Sequence, residues 1–326
     1  MERPVSHPIL FAGDTHGNID HWHYLIRVAL ANEVRTIIQV GDFGFWTHTK
    51  DGRFFLSDLS NALILNDLDV YWIDGNHESF ERLYALPVGA DGFRPVHNRI
   101  THIPRGALVQ IEGHKVLGIG GAYSIDKDSR LPGVSWWPEE LITQGDILTA
   151  LDNEQPDIVV THDVPESVPH RYFLNQYPTG ETRSQRLLLE EVFQKFHPNL
   201  WVHGHYHRRY EYQLDNTRFI GLSCDGSGQQ SWFLLAGESE MADVMESFWL
   251  AVEFSLEELG LSLDEIEDQA KTGEFESSRV EALWKIIQMV VPDEPLDEPD
   301  EDAVAPAYAS LNTVPVTTGT GEPAVL

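Results

Sequence analysis

The chain has 326 residues, of which 42% are hydrophobic and 23% are charged, a composition typical of a globular protein with a sizeable core. Its formal net charge is −30, and residues 241–326 carry 20 Asp or Glu against 3 Lys or Arg. This charge speaks against duplex nucleic acid and anionic membranes as partners.

The location of the protein is predicted from three features. No stretch reaches the roughly 18 apolar residues that a membrane span requires. The first ten residues contain no basic segment followed by a long apolar run, so we expect no signal peptide. The single cysteine, Cys224, cannot form an intrachain disulfide, which favours a reducing compartment. We therefore expect a cytoplasmic protein.

The first third of the chain alternates short apolar runs with amphipathic stretches. Strands are predicted at 8–13, 36–41 and 69–75. Helices are predicted between them, from Asp20 to about Asn32 and from Phe54 to Asn66. This βαβαβ order predicts a parallel sheet covered by helices.

The middle of the chain is richer in strands. Three short strands are predicted within 100–121, and because no helical pattern separates the last two, they should form a hairpin or a meander. A helix is predicted near Ser184–Phe196, and further strands are predicted at 157–162, 200–205, 217–224 and 231–237. The pattern indicates an α/β fold, a four-layer α/β/β/α sandwich of two mixed sheets flanked by helices.

A second helical zone follows this strand-rich region. Ser262 and Glu265 have the spacing of a capping box, and Val280, Leu283, Trp284, Ile287 and Val291 recur on one helical face. From Pro292 the chain is acidic and then rich in Pro, Thr and Gly, which predicts disorder. We therefore predict a main domain at 1–240, a helical extension at 241–291 and a disordered tail at 292–326. The extension and the tail are candidate surfaces for a protein partner.

Polar side chains with metal-binding capacity follow five of the predicted strands. They comprise two aspartates, one asparagine and four histidines: Asp14, His16, Asp42, Asn76, His162, His205 and His207. Ligands of open α/β sheets bind at the carboxyl ends of the strands, so we expect these side chains to meet there. Two divalent cations about 3.5–4 Å apart need a shared ligand, and a carboxylate can bridge them. Mixed oxygen and imidazole ligands suit Mn, Fe, Zn or Co better than Mg or Ca. We expect two divalent ions, Mn²⁺ in the first place, with Fe, Zn, Ni or Co as alternatives.

The order of these motifs resembles that of the calcineurin-like metallophosphoesterases. The matching motifs are Asp14-x-His16, Gly41-Asp42, Gly75-Asn76-His77-Glu78, a strand-end His162 and Gly204-His205-x-His207. The resemblance implies that Asp14, His16, Asp42 and His207 bind one metal ion. It also implies that Asp42, Asn76, His162 and His205 bind the other, with Asp42 as the bridge.

The same resemblance implies the fold and the reaction. The fold would be the calcineurin-like sandwich, and the activity would be hydrolysis of a phosphomonoester or phosphodiester by a hydroxide held between the two ions. His77 would bind no metal and would protonate the leaving oxygen as a general acid. Two alternatives stay open: a metal-dependent nuclease or nucleotide phosphodiesterase, and a non-catalytic scaffold of the same fold. The physiological substrate is not specified by the sequence.

Two departures separate the chain from known branches of that family. The protein Ser/Thr phosphatases continue their second motif with an acid and an arginine, but here the run after Asp42 is Phe43-Gly44-Phe45-Trp46. Purple acid phosphatases have a tyrosine ligand where this chain has Phe45. The substrate range of neither branch can be transferred to this chain.

Residues 120–140 form a long aperiodic segment that contains Trp136 and Trp137. Long loops inside compact domains are usually functional, and paired tryptophans argue against disorder. We expect a lid or substrate wall in which Arg130 or Lys127 meets a phosphate group, and the alternative is a packed structural loop.

Overall fold

The computed structural model describes residues 7–174, 180–237, 248–249, 251–256 and 258–290. The chain divides into two compact units, Met1–Val244 and Met245–Leu326. The tail predicted at 292–326 lies outside the described residues, and the three-part division of the chain stays a prediction. Within the described part, no helix has the length and apolar character needed to cross a membrane.

The strands of the first unit form two six-stranded sheets. In chain order the strands are β1 (Ile9–Ala12), β2 (Thr36–Gln39), β3 (Asp69–Trp72), β4 (Arg94–His97), β5 (Ile100–His102), β6 (Ala107–Ile111), β7 (His114–Ile119), β8 (Ile158–Thr161), β9 (Leu200–His203), β10 (Tyr210–Leu214), β11 (Thr217–Gly221) and β12 (Trp232–Leu235). The first sheet has the order β12-β1-β2-β3-β5-β4, and the second has the order β10-β11-β9-β8-β7-β6. The four inner strands of each sheet are parallel and both edge strands are antiparallel, so both sheets are mixed.

Helices cover the outer face of each sheet. The helices of this unit are α1 (Ile19–Ala31), α2 (Lys50–Asn66), α3 (Phe80–Tyr84), α4 (Gln144–Leu151) and α5 (Gly180–Phe196). Residues of α1 and α2 pack against the first sheet, and residues of α4 and α5 pack against the second. The predicted four-layer α/β/β/α sandwich is confirmed.

The side-chain alternation of β1 shows how the layers are built. Ile9 and Phe11 point into the core between the two sheets, whereas Leu10 and Ala12 point into the core beneath the helices. All four residues have no exposed surface. Strands buried on both faces must be apolar throughout, which is why they were visible in the sequence as uninterrupted apolar runs.

Four elements were missed in the sequence. Strands β4 and β10 lie at sheet edges, where one face is exposed to solvent. Their sequences, RPVH and YEYQL, are therefore largely polar. Helix α3 has only 5 residues and α4 has 8, too short for a periodic pattern. The predicted hairpin is confirmed, because β6 and β7 pair antiparallel.

The second unit has a small apolar core of its own. Its helices include α6 (Leu263–Thr272) and α7 (Ser278–Val290), and residues 251–256 are also helical. Ser262 and Glu265 form the predicted capping box at the start of α6. The buried face contains Val252, Leu256, Ile266, Val280, Leu283 and Ile287. Val291, which was predicted on the same face, lies outside the described residues.

Candidate metal centre

The candidate ligands lie in the loops that follow five parallel strands. Strands β1, β2 and β3 of the first sheet and β8 and β9 of the second carry them at their carboxyl ends. The loops after these strands contain, in order, Asp14 and His16, Asp42, Asn76, His162, and His205 and His207. The sandwich therefore brings both sheets to one site, as the strand-end pattern predicted.

Several of these residues have a left-handed backbone. The φ angles are 45° at His16, 54° at Asp42, 68° at His205 and 52° at His207. Such angles cost on the order of 1–3 kcal/mol at a residue other than glycine, and they concentrate at functional sites. The surrounding fold thus holds these side chains in positions that the isolated backbone disfavours.

Two glycines allow the carboxylates to approach the backbone. A Cβ atom at Gly75 would overlap Oδ1 and the backbone nitrogen of Asp42, and one at Gly204 would overlap Oδ1 of Asp14. Any side chain at either position would therefore displace a carboxylate of the site.

A first group of ligand atoms comes from Asp14, His16 and His207, and all three atoms lie within 4.8 Å of one another. Nε2 of His207 is 3.1 Å from Oδ2 of Asp14. Asp14 is fully buried, whereas the His207 side chain is 45% exposed. The carboxylate of this group therefore lies on its buried side, and His207 lies on the side that faces solvent.

A second group of ligand atoms converges on the side-chain oxygen of Asn76. Nε2 of His162 and Nδ1 of His205 each lie 3.1 Å from Asn76 Oδ1. Nε2 of His162 is also 3.5 Å from Oδ1 of Asp42. Asp14, Asp42 and His162 offer atoms within 4.8 Å of one another, so Asp14 borders this group as well.

Asp42 lies between the two groups. Its Oδ1 faces His162 of the second group at 3.5 Å, and its Oδ2 faces Nε2 of His16 of the first group at 3.6 Å. Oδ1 also accepts hydrogen bonds from the backbone nitrogens of Asn76 and His77, both at 2.9 Å. The carboxylate is therefore oriented with one oxygen toward each group.

The spacing of these donors fits transition-metal coordination. Two donors bound about 2.1 Å from one ion lie about 3 Å apart when the bonds meet near a right angle. The separations of 3.1 Å around Asn76 and Asp14 match that value. Imidazole nitrogens with carboxylate and amide oxygens suit Mn, Fe, Zn, Ni or Co. The residues present therefore fit divalent cations.

The electrostatics of the site favour positive charge. Burial alone would lower the pKa of His162, but Asp42 and Asp14 overcome this effect and raise it to about 10. Burial likewise opposes protonation of His16, but Asp42 and Asp225 raise its pKa to about 9. Burial would raise the pKa of Asp42, whereas the neighbouring histidines hold it well below its usual range. Cations are thus stabilised among these carboxylates.

His77 lies beside the two groups and belongs to neither. Its Nε2 is 3.9 Å from Oδ2 of Asp42 and 2.7 Å from Nη2 of Arg130. A guanidinium can only donate, so His77 Nε2 accepts this hydrogen bond and the imidazole is neutral. Burial lowers the pKa of His77, Asp42 acts against that effect, and Arg130 lowers the pKa further.

A cavity of about 770 Å³ lies above the site. Its lining residues come from the ligand loops, from the 120–140 segment, from residue 174 and from the start of α5: His16, Asp42, Asn76, His77, Ser124, Ile125, Asp126, Arg130, Leu174, Thr182, His205, Tyr206 and His207. Arg130 thus faces the site that the sequence suggested for it. Lys127 does not line the cavity, because its Nζ pairs with Glu181 at 2.7 Å and lies over the ring of Tyr123.

A family model described as calcineurin-like phosphoesterase matches residues 7–209, which is more than half of the chain. The chain belongs to the calcineurin-like phosphoesterase family. This phosphoesterase-family chain is also 26% identical over 247 residues to an uncharacterized protein of Haemophilus influenzae, and the match covers 66% of this chain and 92% of that protein.

Solved structures similar to this calcineurin-like phosphoesterase include two bacterial proteins. A phosphopantetheinyl hydrolase from Mycobacterium tuberculosis is 13% identical with a TM-score of 0.40, and the match covers 71% of this chain and 97% of that one. A protein from Thermus thermophilus is 13% identical with a TM-score of 0.43, and the match covers 67% of this chain and 90% of that one.

The acid and the arginine that follow the second motif in Ser/Thr phosphatases are absent from this family member. Other contacts hold the loop after Asp42 in place. The carboxylate of Glu78 accepts hydrogen bonds of 2.8 Å from the backbone nitrogens of Phe43 and Phe45. The indole nitrogen of Trp46 donates to the backbone carbonyl of His77. These contacts tie the Asp42 loop to the His77 loop through the backbone rather than through the imidazole.

Asp225 is a site residue that the sequence reasoning missed. Its Oδ1 lies 2.9 Å from Nδ1 of His16, and its Oδ2 accepts a hydrogen bond of 2.8 Å from Asn18. A carboxylate behind a metal-binding histidine fixes the orientation of the ring and leaves Nε2 for the metal. Asp225 follows the apolar run of β11, the same strand-end signal that revealed the other ligands, but it lies beyond residues 7–209.

Ser124 and Glu140 were also missed. The Ser124 hydroxyl accepts a hydrogen bond of 2.9 Å from Nδ2 of Asn76 and donates one of 2.7 Å to Oε2 of Glu140. Ser124 and Glu140 stand near the two ends of the 120–140 segment, and both are buried. Their hydrogen bond joins the two ends of the segment. The Ser124 contact also orients the Asn76 amide so that its oxygen faces His162 and His205.

Proposed function

We propose that the chain is a dinuclear metal-dependent phosphoesterase that hydrolyses a phosphomonoester or a phosphodiester. The observation that carries this proposal is the orientation of Asp42, whose two oxygens face two separate groups of ligands. One ion would be held by Asp14, His16, Asp42 and His207, and the other by Asp42, Asn76, His162 and His205. Cations bound there supply charge neutralisation for the phosphate and acidify a water nucleophile at neutral pH.

His77 and Arg130 are the groups of the chain that would act on the substrate. An anionic phosphate entering the cavity competes with His77 for the guanidinium of Arg130, which binds phosphate oxygens through paired hydrogen bonds. Loss of the Arg130 contact frees Nε2 of His77, and the added negative charge favours a protonated imidazole.

The reaction then balances as a hydrolysis. Water forms a new bond to phosphorus, the bond from phosphorus to the leaving oxygen breaks, and the Nε2 proton of His77 passes to that oxygen. A phosphomonoester yields inorganic phosphate and an alcohol, and a phosphodiester yields a phosphomonoester and an alcohol. The proton lost by the water returns the imidazole to its charged state.

One alternative is a nuclease or nucleotide phosphodiesterase, and another is a scaffold without activity. All seven predicted ligand positions retain metal-binding side chains and meet at one site, which supports catalysis over a scaffold. The net charge of −30 supports a small ester over a nucleic-acid duplex.

The test is a panel of phosphomonoesters, phosphodiesters and single-stranded and duplex DNA, each assayed with Mn²⁺, Ni²⁺, Zn²⁺ and Mg²⁺. We expect hydrolysis of a small ester with a transition metal and none after chelation. We also expect His77→Ala to lose about 10²–10⁴-fold in kcat on an alkyl ester and much less on a nitrophenyl ester, whose leaving group needs little protonation. Absence of hydrolysis with every metal would favour the scaffold, and cleavage of DNA alone would favour the nuclease.

A further inference from the structure

A second cavity of about 300 Å³ adjoins the first. Its lining residues are Trp46, His48, Thr49, His77, Arg130, Val134, Ser135 and Trp137. His77 and Arg130 line both cavities, so the pair forms the boundary between them. The volume is at the lower end of the range of about 300–1,000 Å³ that is usual for ligand sites.

The walls of this second cavity are aromatic and carry no carboxylate. Among the residues that the structure describes, none that lines it is Asp or Glu, although the chain contains 52 acidic residues. The ring of His48 lies 6.1 Å from that of Trp137 in an edge-on arrangement, and Trp137 is 8% exposed. The indole nitrogen of Trp46 donates to the His77 carbonyl, which fixes the position of that ring. Apart from Arg130 and His77 at the boundary with the first cavity, these walls suit a flat apolar group rather than a cation.

The position of His77 determines which part of a substrate reaches this cavity. A general acid must lie within hydrogen-bond distance of the leaving oxygen. The group attached to that oxygen must therefore lie next to His77. The second cavity is a space that His77 lines and that none of the seven candidate ligands lines.

We propose that this cavity binds the leaving group of the ester and that the leaving group carries an aromatic ring. This inference rests on the proposed phosphoesterase function and adds a substrate class to it. The ring would contact the indoles of Trp46 and Trp137, which both line the cavity, while the phosphate stays with Arg130 and the candidate metal ligands.

The test compares benzyl, cyclohexylmethyl and methyl esters of phosphate on the protein loaded with Mn²⁺, as monoesters and as methyl diesters. These alcohols have similar acidity, so differences report on binding of the leaving group rather than on its intrinsic reactivity. We expect kcat/KM for the benzyl ester to exceed that for the methyl ester by about 10-fold or more, with the cyclohexylmethyl ester between them. Equal values for benzyl and methyl esters, or for benzyl and cyclohexylmethyl esters, would overturn the proposal.

A matched pair of variants locates the effect in this cavity. Val134 lines it and is 57% exposed, so Val134→Trp can fill the space without disturbing the core. Leu131 lies in the same segment, is 65% exposed and lines neither of these two cavities. We expect Val134→Trp to reduce the benzyl-to-methyl ratio toward one and Leu131→Trp to leave it unchanged. An unchanged ratio in Val134→Trp would contradict the location.

A binding measurement separates this proposal from the proposed function. Benzylphosphonate and methylphosphonate cannot be hydrolysed at the P–C bond, so their dissociation constants report on the cavity without catalysis. We expect benzylphosphonate to bind about 10-fold more tightly to the Mn²⁺-loaded protein. If no ester is hydrolysed but this preference is present, the phosphoesterase proposal fails and the aromatic site stands. If esters are hydrolysed but the preference is absent, the aromatic site fails.

Discussion

Asp225 supports His16 from a part of the chain that none of the ligand motifs contains. The two residues are 209 positions apart, and their side chains meet at 2.9 Å. The carboxylate keeps Nδ1 of His16 engaged, so that Nε2 faces Asp42. At the residue scale, the ligand motifs alone therefore do not determine the orientation of the His16 ring.

We expect Asp225→Ala to weaken Mn²⁺ binding by about 10–100-fold, the usual effect of removing a group that orients a metal-binding histidine. The measurement is a calorimetric titration of the metal-free protein. Asp215→Ala is the matched control, because Asp215 is exposed and its closest histidine, His197, is not among the proposed ligands. Equal affinities in the two variants would show that Asp225 does not position His16.

The contact between Arg130 and His77 leads to a prediction about acidity. Arg130 lowers the pKa of His77, so its removal is expected to raise that pKa in the metal-free protein. NMR titration of ¹³C-labelled histidine in Arg130→Ala measures the shift, with the His77 signal assigned by its loss in His77→Ala. Lys127→Ala serves as the control, since Lys127 pairs with Glu181. A His77 pKa that falls in Arg130→Ala would rule out the contact in solution.

At the scale of elements, the 120–140 segment connects the substrate groups to the metal ligands. The Ser124 hydroxyl contacts Asn76 and Glu140 and lies 3.3 Å from Nη1 of Arg130. Ser124 is 1% exposed, so these groups satisfy their hydrogen bonds with one another rather than with water.

We expect Ser124→Ala to cost about 1–3 kcal/mol in unfolding free energy, because it leaves buried polar partners unsatisfied. We also expect weaker Mn²⁺ binding, because the Asn76 amide loses the contact that orients it. Chemical denaturation and metal titration measure the two effects. Ser129→Ala is the control, because the Ser129 hydroxyl donates to the backbone carbonyl of Asp126 within the same segment. A loss of stability with unchanged Mn²⁺ affinity would show that Ser124 stabilises the fold but does not orient Asn76 for metal binding.

The sequence predicted the elements that a short stretch of the chain is sufficient to identify. The buried strands were visible as apolar runs, and their ends indicated where Asp14, Asp42 and His162 would lie. Edge strands such as β10 were missed because half of their residues face water. The contacts of Asp225, Ser124 and Glu140 join distant parts of the chain, and no spacing rule relates such residues before the fold is known. The 120–140 segment was expected to be a lid or a substrate wall, with a packed structural loop as the alternative. Ser124 and Arg130 of this segment line the cavity, but the contacts within the segment could not be predicted without coordinates.

At the scale of the whole molecule, loops from both sheets form the candidate metal site. The charge balance of this site should make metal binding depend on pH. His16 and His162 have pKa values raised to about 9 and about 10, so both are protonated in the metal-free protein at neutral pH. Cation binding must displace these protons. We therefore expect Mn²⁺ affinity to increase as the pH rises from about 6 toward 9.

Calorimetry in buffers of different ionisation enthalpy measures this proton release. We expect up to two protons to leave per chain at neutral pH, one from each histidine, and fewer as the pH approaches the raised pKa values. His203 provides an internal comparison. Burial lowers its pKa to about 3, so His203→Gln removes no proton at neutral pH and should leave the release unchanged. Affinity independent of pH would show that these histidines are not ligands.

The EPR spectrum of the protein saturated with Mn²⁺ tests the dinuclear assignment most directly. A carboxylate bridge at Asp42 would hold two ions about 3.5–4 Å apart, which is close enough for magnetic coupling. We expect two ions per chain by elemental analysis, with the spectrum of a coupled pair, and we expect Asp42→Asn to abolish the coupling. Saturation at one ion per chain, or two ions with the spectrum of isolated Mn²⁺, would contradict the account.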